Sequence, residues 1–192
     1  MPDITETLEA TTRAQWRKWL ERHHAKKTEI WLVAGLREKG DGLSYLDAVE
    51  EALCFGWIDG LAKSFDALRR AQRFSPRRPK SNWTELNKER ARRLIREGQM
   101  TPAGERVLPD LKLTEPTIAP DIIAALDAQK GARAFFESTP LLYRRVRLGN
   151  LEEQRKQPQV FATRLATLVT SCAQKRLFGN WDDRGLRRTA RV

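Results

Sequence analysis

With 192 residues, 40% of them hydrophobic, the chain is long enough to bury a core without disulfides or a structural metal. Its 6 Trp and 7 Phe, set against a charged fraction of 32%, exclude a disordered or low-complexity polypeptide. The formal net charge of +11 argues against a surface for cationic partners and points toward anions.

The opening MPDITETLEA carries three acids and no basic residue before an apolar run, the reverse of a secretory signal. No stretch reaches the roughly 20 apolar residues of a membrane span. Cys54 and Cys172 lie far apart in helix-like apolar patterns and read as small core residues of a reducing compartment. The expected location is therefore cytoplasmic.

Thr11 or Thr12 caps a first helix running to about Lys26, with Trp16, Trp19, Leu20 and His23 on one face. The adjacent His23 and His24 point about 100° apart on a helix and have no further ligand at suitable spacing, so neither a metal nor a cofactor is expected. Residues 29 to 36 form a short apolar strand ending at the turn Gly40-Asp41-Gly42. Ser44 and Asp47 cap a helix through about Phe55, which Gly56 ends. Residues 57 to 65 and 68 to 75 then read as a hairpin turning near Asp66-Ala67. Strict alternation places Trp57, Asp59, Leu61 and Lys63 on one face of it.

Pro76 and Pro79 stop the second hairpin strand, and Ser81 or Asn82 caps a helix from Trp83 to Glu97. Thr101-Pro102 begins a short helix, and a proline-bounded stretch from Pro109 to Pro120 follows. Beyond it the pattern is helical, with a long amphipathic helix opening at Pro158 and a Phe178–Asp183 end that folds back. The expected fold class is α+β and helix-rich: a small antiparallel sheet of about three strands packed by helices, then a helical lobe. The expected division is an N-terminal α+β domain over 1–110, a linker over 111–120 and the C-terminal helical lobe over 121–192.

Charge is the most informative pattern. Residues 1–60 hold 8 Lys/Arg against 11 Asp/Glu, whereas residues 69–96 hold 11 against 2. A field that concentrated attracts nucleic-acid phosphate, an acidic protein or peptide, anionic lipid headgroups or a phosphorylated small molecule. At its centre, Arg73 to Trp83 combines Arg73, Arg77, Arg78 and Lys80 with the neutral donors Ser75 and Ser81, stiffened by two prolines. Arginine suits bidentate contact with phosphate or carboxylate, and a stiff loop loses little freedom on clamping an anion. Trp57, Phe74 and Trp83 flank these cations and are candidate stacking platforms, with a place in the core as the preferred reading of all three. No GxSxG elbow, P-loop, GxGxxG, HExxH or paired CxxC occurs, so an enzymatic role would have to rest on Asp59 as acid or base, near Trp57, Tyr45 and Arg73. Binding without catalysis is the preferred reading, and a pairing of Arg73 with Asp59 is its structural alternative.

The segments FGWIDG, RFSPRRPKSNW, NKER and MTPAG, with the later LLYRRVRLGNLEEQRKQPQVFATRL and FGNWDD, resemble the YdeI/OmpD-associated family of bacteriocin-protection proteins, from Trp16 to Asp183. The resemblance implies a part in resistance to bacteriocins or other cationic antimicrobial peptides and brings no catalytic residues with it. A basic face repels cations, so direct capture of such peptides on it is physically unfavourable.

Overall fold

The computed structural model describes residues 3–35, 42–67 and 69–179. The Gly40-Asp41 part of the expected turn, Leu68 at the start of the expected second hairpin strand, and Asn180 to Asp183 of the expected fold-back lie outside them. Within them the chain is α+β, with four strands toward the N-terminus and eight helices.

The order is β1 (Thr7–Glu9), α1 (Arg13–His23), β2 (Ile30–Gly35), α2 (Tyr45–Cys54), β3 (Trp57–Ser64), β4 (Arg69–Pro76), α3 (Glu85–Arg96), α4 (Pro102–Glu105), α5 (Pro120–Asp127), α6 (Ala132–Glu137), α7 (Leu141–Glu152) and α8 (Pro158–Ala173). The sheet runs β1-β2-β4-β3. β2 and β3 each pair antiparallel with β4, but β1 pairs parallel with β2, so the sheet is mixed where an antiparallel one of about three strands was expected. β1 is only three residues long, Thr-Leu-Glu with a single apolar residue, too short for alternation to serve as a signal, which is why the sequence hides it.

The chain divides into two compact units, one of residues 1–82 with 90–111 and one of residues 83–89 with 112–192. In the first, Thr12 closes a capping box with Gln15 and starts α1, whose Trp16 and Leu20 are fully buried. Trp16 donates its indole N–H to the Ala48 carbonyl at 3.0 Å and lies 5.3 Å from the Phe74 ring, which fixes α1 and α2 against one face of the sheet. β2 is buried on both faces, from Ile30 through Val33, and Trp31, Val33 and Ala71 form a second small apolar cluster with Ile4 on the other face. Beside α2 two acids are buried under partly exposed arginines: Glu51 takes Arg13 at 2.5 Å and Arg17 at 2.7 Å, and Glu50 takes Arg13 and Arg93.

The second unit is helical. Ile122, Leu126, Phe136, Tyr143, Leu151, Leu168 and Cys172 form its core. Phe178 packs against that core and donates its backbone N–H to the Tyr143 hydroxyl at 3.3 Å. Glu85 binds Lys88 and Arg145, each at 2.7 Å, and Arg145 also donates to the Thr114 carbonyl at 2.6 Å.

Candidate functional site

β3 is an edge strand paired with the interior strand β4, and their register decides which side chains meet. Trp57 lies opposite Pro76 and Asp59 opposite Phe74, but the register shifts between Asp59 and Ala62, after which Lys63 lies opposite Ala71. This bulge reverses the alternation, so Asp59 shares a face with Trp57 and Phe74 while Lys63 turns to the other, 5.9 Å over the Trp31 ring. Asp59 and Lys63 therefore do not share a face, contrary to the expectation from strict period-two alternation.

Asp59 meets two partners on its side. Tyr45, exposed at the start of α2, donates its hydroxyl to Asp59 Oδ2 at 2.6 Å. Arg77 lies close enough for the Asp59 charge to favour its protonated form, although burial works against it and pushes the guanidinium down to about 10. Arg77 is 5% exposed. It donates its backbone N–H to Gly56 at 2.9 Å and Nη1 to the Asn82 carbonyl at 3.3 Å, holding the two ends of the loop together. Gly56 adopts φ +74, a conformation glycine reaches without penalty, and it is this turn that offers its carbonyl to Arg77.

Arg73 does not pair with Asp59. It faces away with Trp31 and forks onto Glu29, which also accepts the Thr5 hydroxyl at 2.6 Å. The Thr5 hydrogen bond, followed by Arg73, holds the Glu29 carboxyl below its ordinary range. The other cations of the basic stretch are mostly neutralised in the same way. Arg69 binds Asp66 at 2.6 Å and Glu9 at 2.7 Å, Arg93 binds Glu50 and, at 3.1 Å, Glu97, and Arg92 donates to the Leu111 carbonyl at 2.8 Å. Arg70, Arg78 and Lys80 remain exposed, with no ion pair among the described residues.

Of the other residues expected to bind, Ser75 is half-buried opposite Ile58, and Ser81 closes a turn by donating its backbone N–H to Arg78 at 3.1 Å. Lys80 sits at the crest of that turn with φ 59. Trp57 is 1% exposed, donates its indole N–H to the His24 carbonyl at 3.2 Å and meets Trp19 edge-on at 5.8 Å. Trp83 and Phe74 are buried as well, so all three aromatics are core residues and none is an open platform. Neither Ser81 nor Asn82 caps the following helix, which starts at Glu85. Thr84 takes that role, its hydroxyl accepting from the Asn87 N–H at 3.2 Å.

The arrangement is thus an anchor beneath a charged crest. Tyr45, Asp59 and Arg77 hold the loop from inside the first unit, and Arg78 and Lys80 stand in water above it. Sequence reasoning did not find Glu29 as the partner of Arg73, nor Glu50 and Glu51 as buried acids. The period-two pairing of Glu29 with Trp31 across from Arg73 was the available signal for the first. Among the described residues no group of three or more His, Cys, Asp or Glu is placed to hold a metal ion, and no helix is long and apolar enough to cross a membrane.

Residues 8–107, just over half the chain, match the family model described as a domain of unknown function, DUF8412. The chain belongs to that family. Residues 115–175 match the family described as Bacteriocin-protection, YdeI or OmpD-Associated, so this chain carries a YdeI/OmpD-associated domain in its C-terminal part. FGWIDG, RFSPRRPKSNW, NKER and MTPAG all fall within the DUF8412 match, and the LLYRR to FATRL stretch falls within the YdeI/OmpD-associated match. No curated protein and no solved structure matches the chain.

Proposed function

We propose that this protein is a non-enzymatic, cytoplasmic binding protein that takes an anionic partner on the loop from Pro76 to Asn82, with nucleic-acid phosphate preferred over a phosphorylated small molecule. The observation that carries the reading is the contrast within the basic stretch. Most of its arginines are paired or buried, whereas Arg78 and Lys80 are left in water on a loop that Arg77 fixes from below. A pair of cations on a loop braced by two prolines and by Arg77 suits phosphate contact, since little backbone entropy is lost on binding. With Trp57 and Phe74 in the core, base stacking contributes nothing there, and the contact is to the backbone and independent of sequence.

Two phosphate contacts imply a slope of about −2 in log affinity against log salt on duplex DNA. The test is fluorescence anisotropy with a labelled duplex over a salt series. The Arg78→Glu, Lys80→Glu variant is expected to lose binding with its fold intact. A flat salt response, or wild-type binding by that variant, overturns the proposal.

The enzymatic alternative, with Asp59 as acid or base toward a small anionic ligand, draws support from the Tyr45–Asp59 hydrogen bond at an exposed tyrosine. It is the weaker reading because the Asp59 charge also favours the protonated form of the buried Arg77, a structural duty. As for protection against bacteriocins, a loop of this sign repels cationic peptides, so such a role would act through an anionic intermediary rather than by capture.

A further inference from the structure

Trp57, Phe74 and Trp83 are buried, but another aromatic ring stands in water beside the basic loop. Tyr45 is the first residue of α2, placed there by the Ser44 cap, whose hydroxyl accepts the Asp47 N–H at 3.0 Å. It is 56% exposed. Phe65, the other exposed aromatic among the described residues, is 36% exposed and has the Arg69 guanidinium 4.9 Å from its ring centroid. The Tyr45 hydroxyl donates to Asp59 Oδ2 at 2.6 Å, and the charge of Asp59 reaches Arg77, the residue before Arg78. The ring is therefore held at its polar end by the same anchor that holds the loop, and it loses little further freedom when a flat group settles on it.

Charge divides this surface in two. The Asp59 carboxylate disfavours phosphate beside Tyr45, whereas the exposed Arg78 and Lys80 attract it. A ligand that suits both parts presents an uncharged aromatic face to the tyrosine and phosphates to the cations. A duplex closes its base faces against one another and offers the loop its phosphates alone, while a single strand offers both groups. Extending the phosphate reading of the loop, on which this rests, we propose that this surface of the first unit binds single-stranded nucleic acid, one base stacked on Tyr45 and adjoining phosphates on Arg78 and Lys80. Every base has an aromatic face, so the strand is held without regard to its sequence.

The test is fluorescence anisotropy on the full chain with a short labelled oligothymidylate, an abasic strand of the same length and the matching duplex. Oligothymidylate is expected to bind more tightly than the abasic strand by roughly five- to hundredfold, the factor for stacking one base, and more tightly than the duplex. Tyr45→Ala should remove that advantage and leave binding of the abasic strand as it was, whereas a merely structural role would lower both. Tyr45→Phe, which restores the ring, should restore the advantage. Thymidine monophosphate, with a base but a single phosphate, should compete more weakly than oligothymidylate by about tenfold or more, the factor for one lost charged contact. Equal affinity for oligothymidylate and the abasic strand, with the salt dependence intact, overturns the stacking and leaves the phosphate reading standing, while binding without salt dependence overturns both. A duplex or a monophosphate as tight as oligothymidylate, a Tyr45→Ala loss shared equally by both strands, or a Tyr45→Phe variant no better than Tyr45→Ala would each overturn it too.

Discussion

Replacing Arg77 by alanine removes a guanidinium that is 5% exposed, releases the Asn82 carbonyl from its 3.3 Å hydrogen bond and leaves Asp59 without the cation whose field it shares. Breaking a buried pair by deleting one member costs about 3–5 kcal/mol. Asp59 is only half-buried and keeps the Tyr45 hydroxyl, so the lower figure applies, about 3 kcal/mol. For a chain of this size that lowers the melting temperature by roughly 6–12 °C. Tryptophan fluorescence during thermal or urea unfolding follows this unit, which holds Trp16, Trp19, Trp31 and Trp57. Asp59→Asn, made alone and together with Arg77→Ala, completes a double-mutant cycle whose coupling is expected to exceed about 0.5 kcal/mol. An Arg77→Ala variant within about 0.5 kcal/mol of wild type, or an additive cycle, refutes the anchor and returns Arg77 to the exposed rim.

Other substitutions separate surface pairs from packing. Arg73→Ala is expected to cost less than about 1 kcal/mol in the same melts, since Arg73 and Glu29 side chains are 33% and 24% exposed and solvent screens the pair. The folded Glu29 carboxyl titrates below its ordinary value of 4.5, so its contribution is present above that pH and lost as pH falls through the lowered value; in Glu29→Gln the acid side of the stability profile should flatten there. Gly104→Ala should destabilise by about 1–3 kcal/mol, because the added carbon would stand 2.4 Å from the Cys54 carbonyl oxygen and 2.4 Å from Met100 sulfur, and the carbonyl belongs to backbone. Burial pushes the Cys54 and Cys172 thiols up to about 11, so a thiol reagent at pH 8 should modify neither in the native protein and both after unfolding.

The elements with strong local signals were legible in the sequence. Thr12 with Gln15 and Ser44 with Asp47 announce α1 and α2, and the β-rich runs on either side of Asp66 announce the hairpin. Arg69 shows why the turn lies there, since its backbone N–H and its guanidinium both bind Asp66, at 2.8 and 2.6 Å. β1 was not legible, because a three-residue strand gains its stability from pairing with β2 and not from its own composition. Nor was the bulge after Asp59. Gly60 offers a hint, as a glycine inside a strand often marks one, yet nothing local says which side chain is displaced. The start of α3 was misplaced because Ser81, Asn82 and Thr84 are all competent caps, and it is the Thr84 hydroxyl that takes the Asn87 N–H.

The distribution of charge carries the larger lesson about the candidate site. A one-dimensional reading adds 11 cations against 2 acids over residues 69–96 and infers a continuous basic face. Folding brings acids from elsewhere in the chain to those cations: Glu9 to Arg69, Glu29 to Arg73 and Glu50 to Arg93. Those partners come from residues 1–60, the one part of the chain with an acidic excess, so the two charge asymmetries of the sequence are halves of one arrangement. What survives as a field is set by which cations the acids do not reach. Arg78 and Lys80 escape because Pro76 ends β4 and lifts the chain away from the neighbouring strands, while Arg77, one residue earlier, is drawn inward to Asp59. An anion binding here meets two fixed charges rather than nine, and its affinity should follow the smaller number.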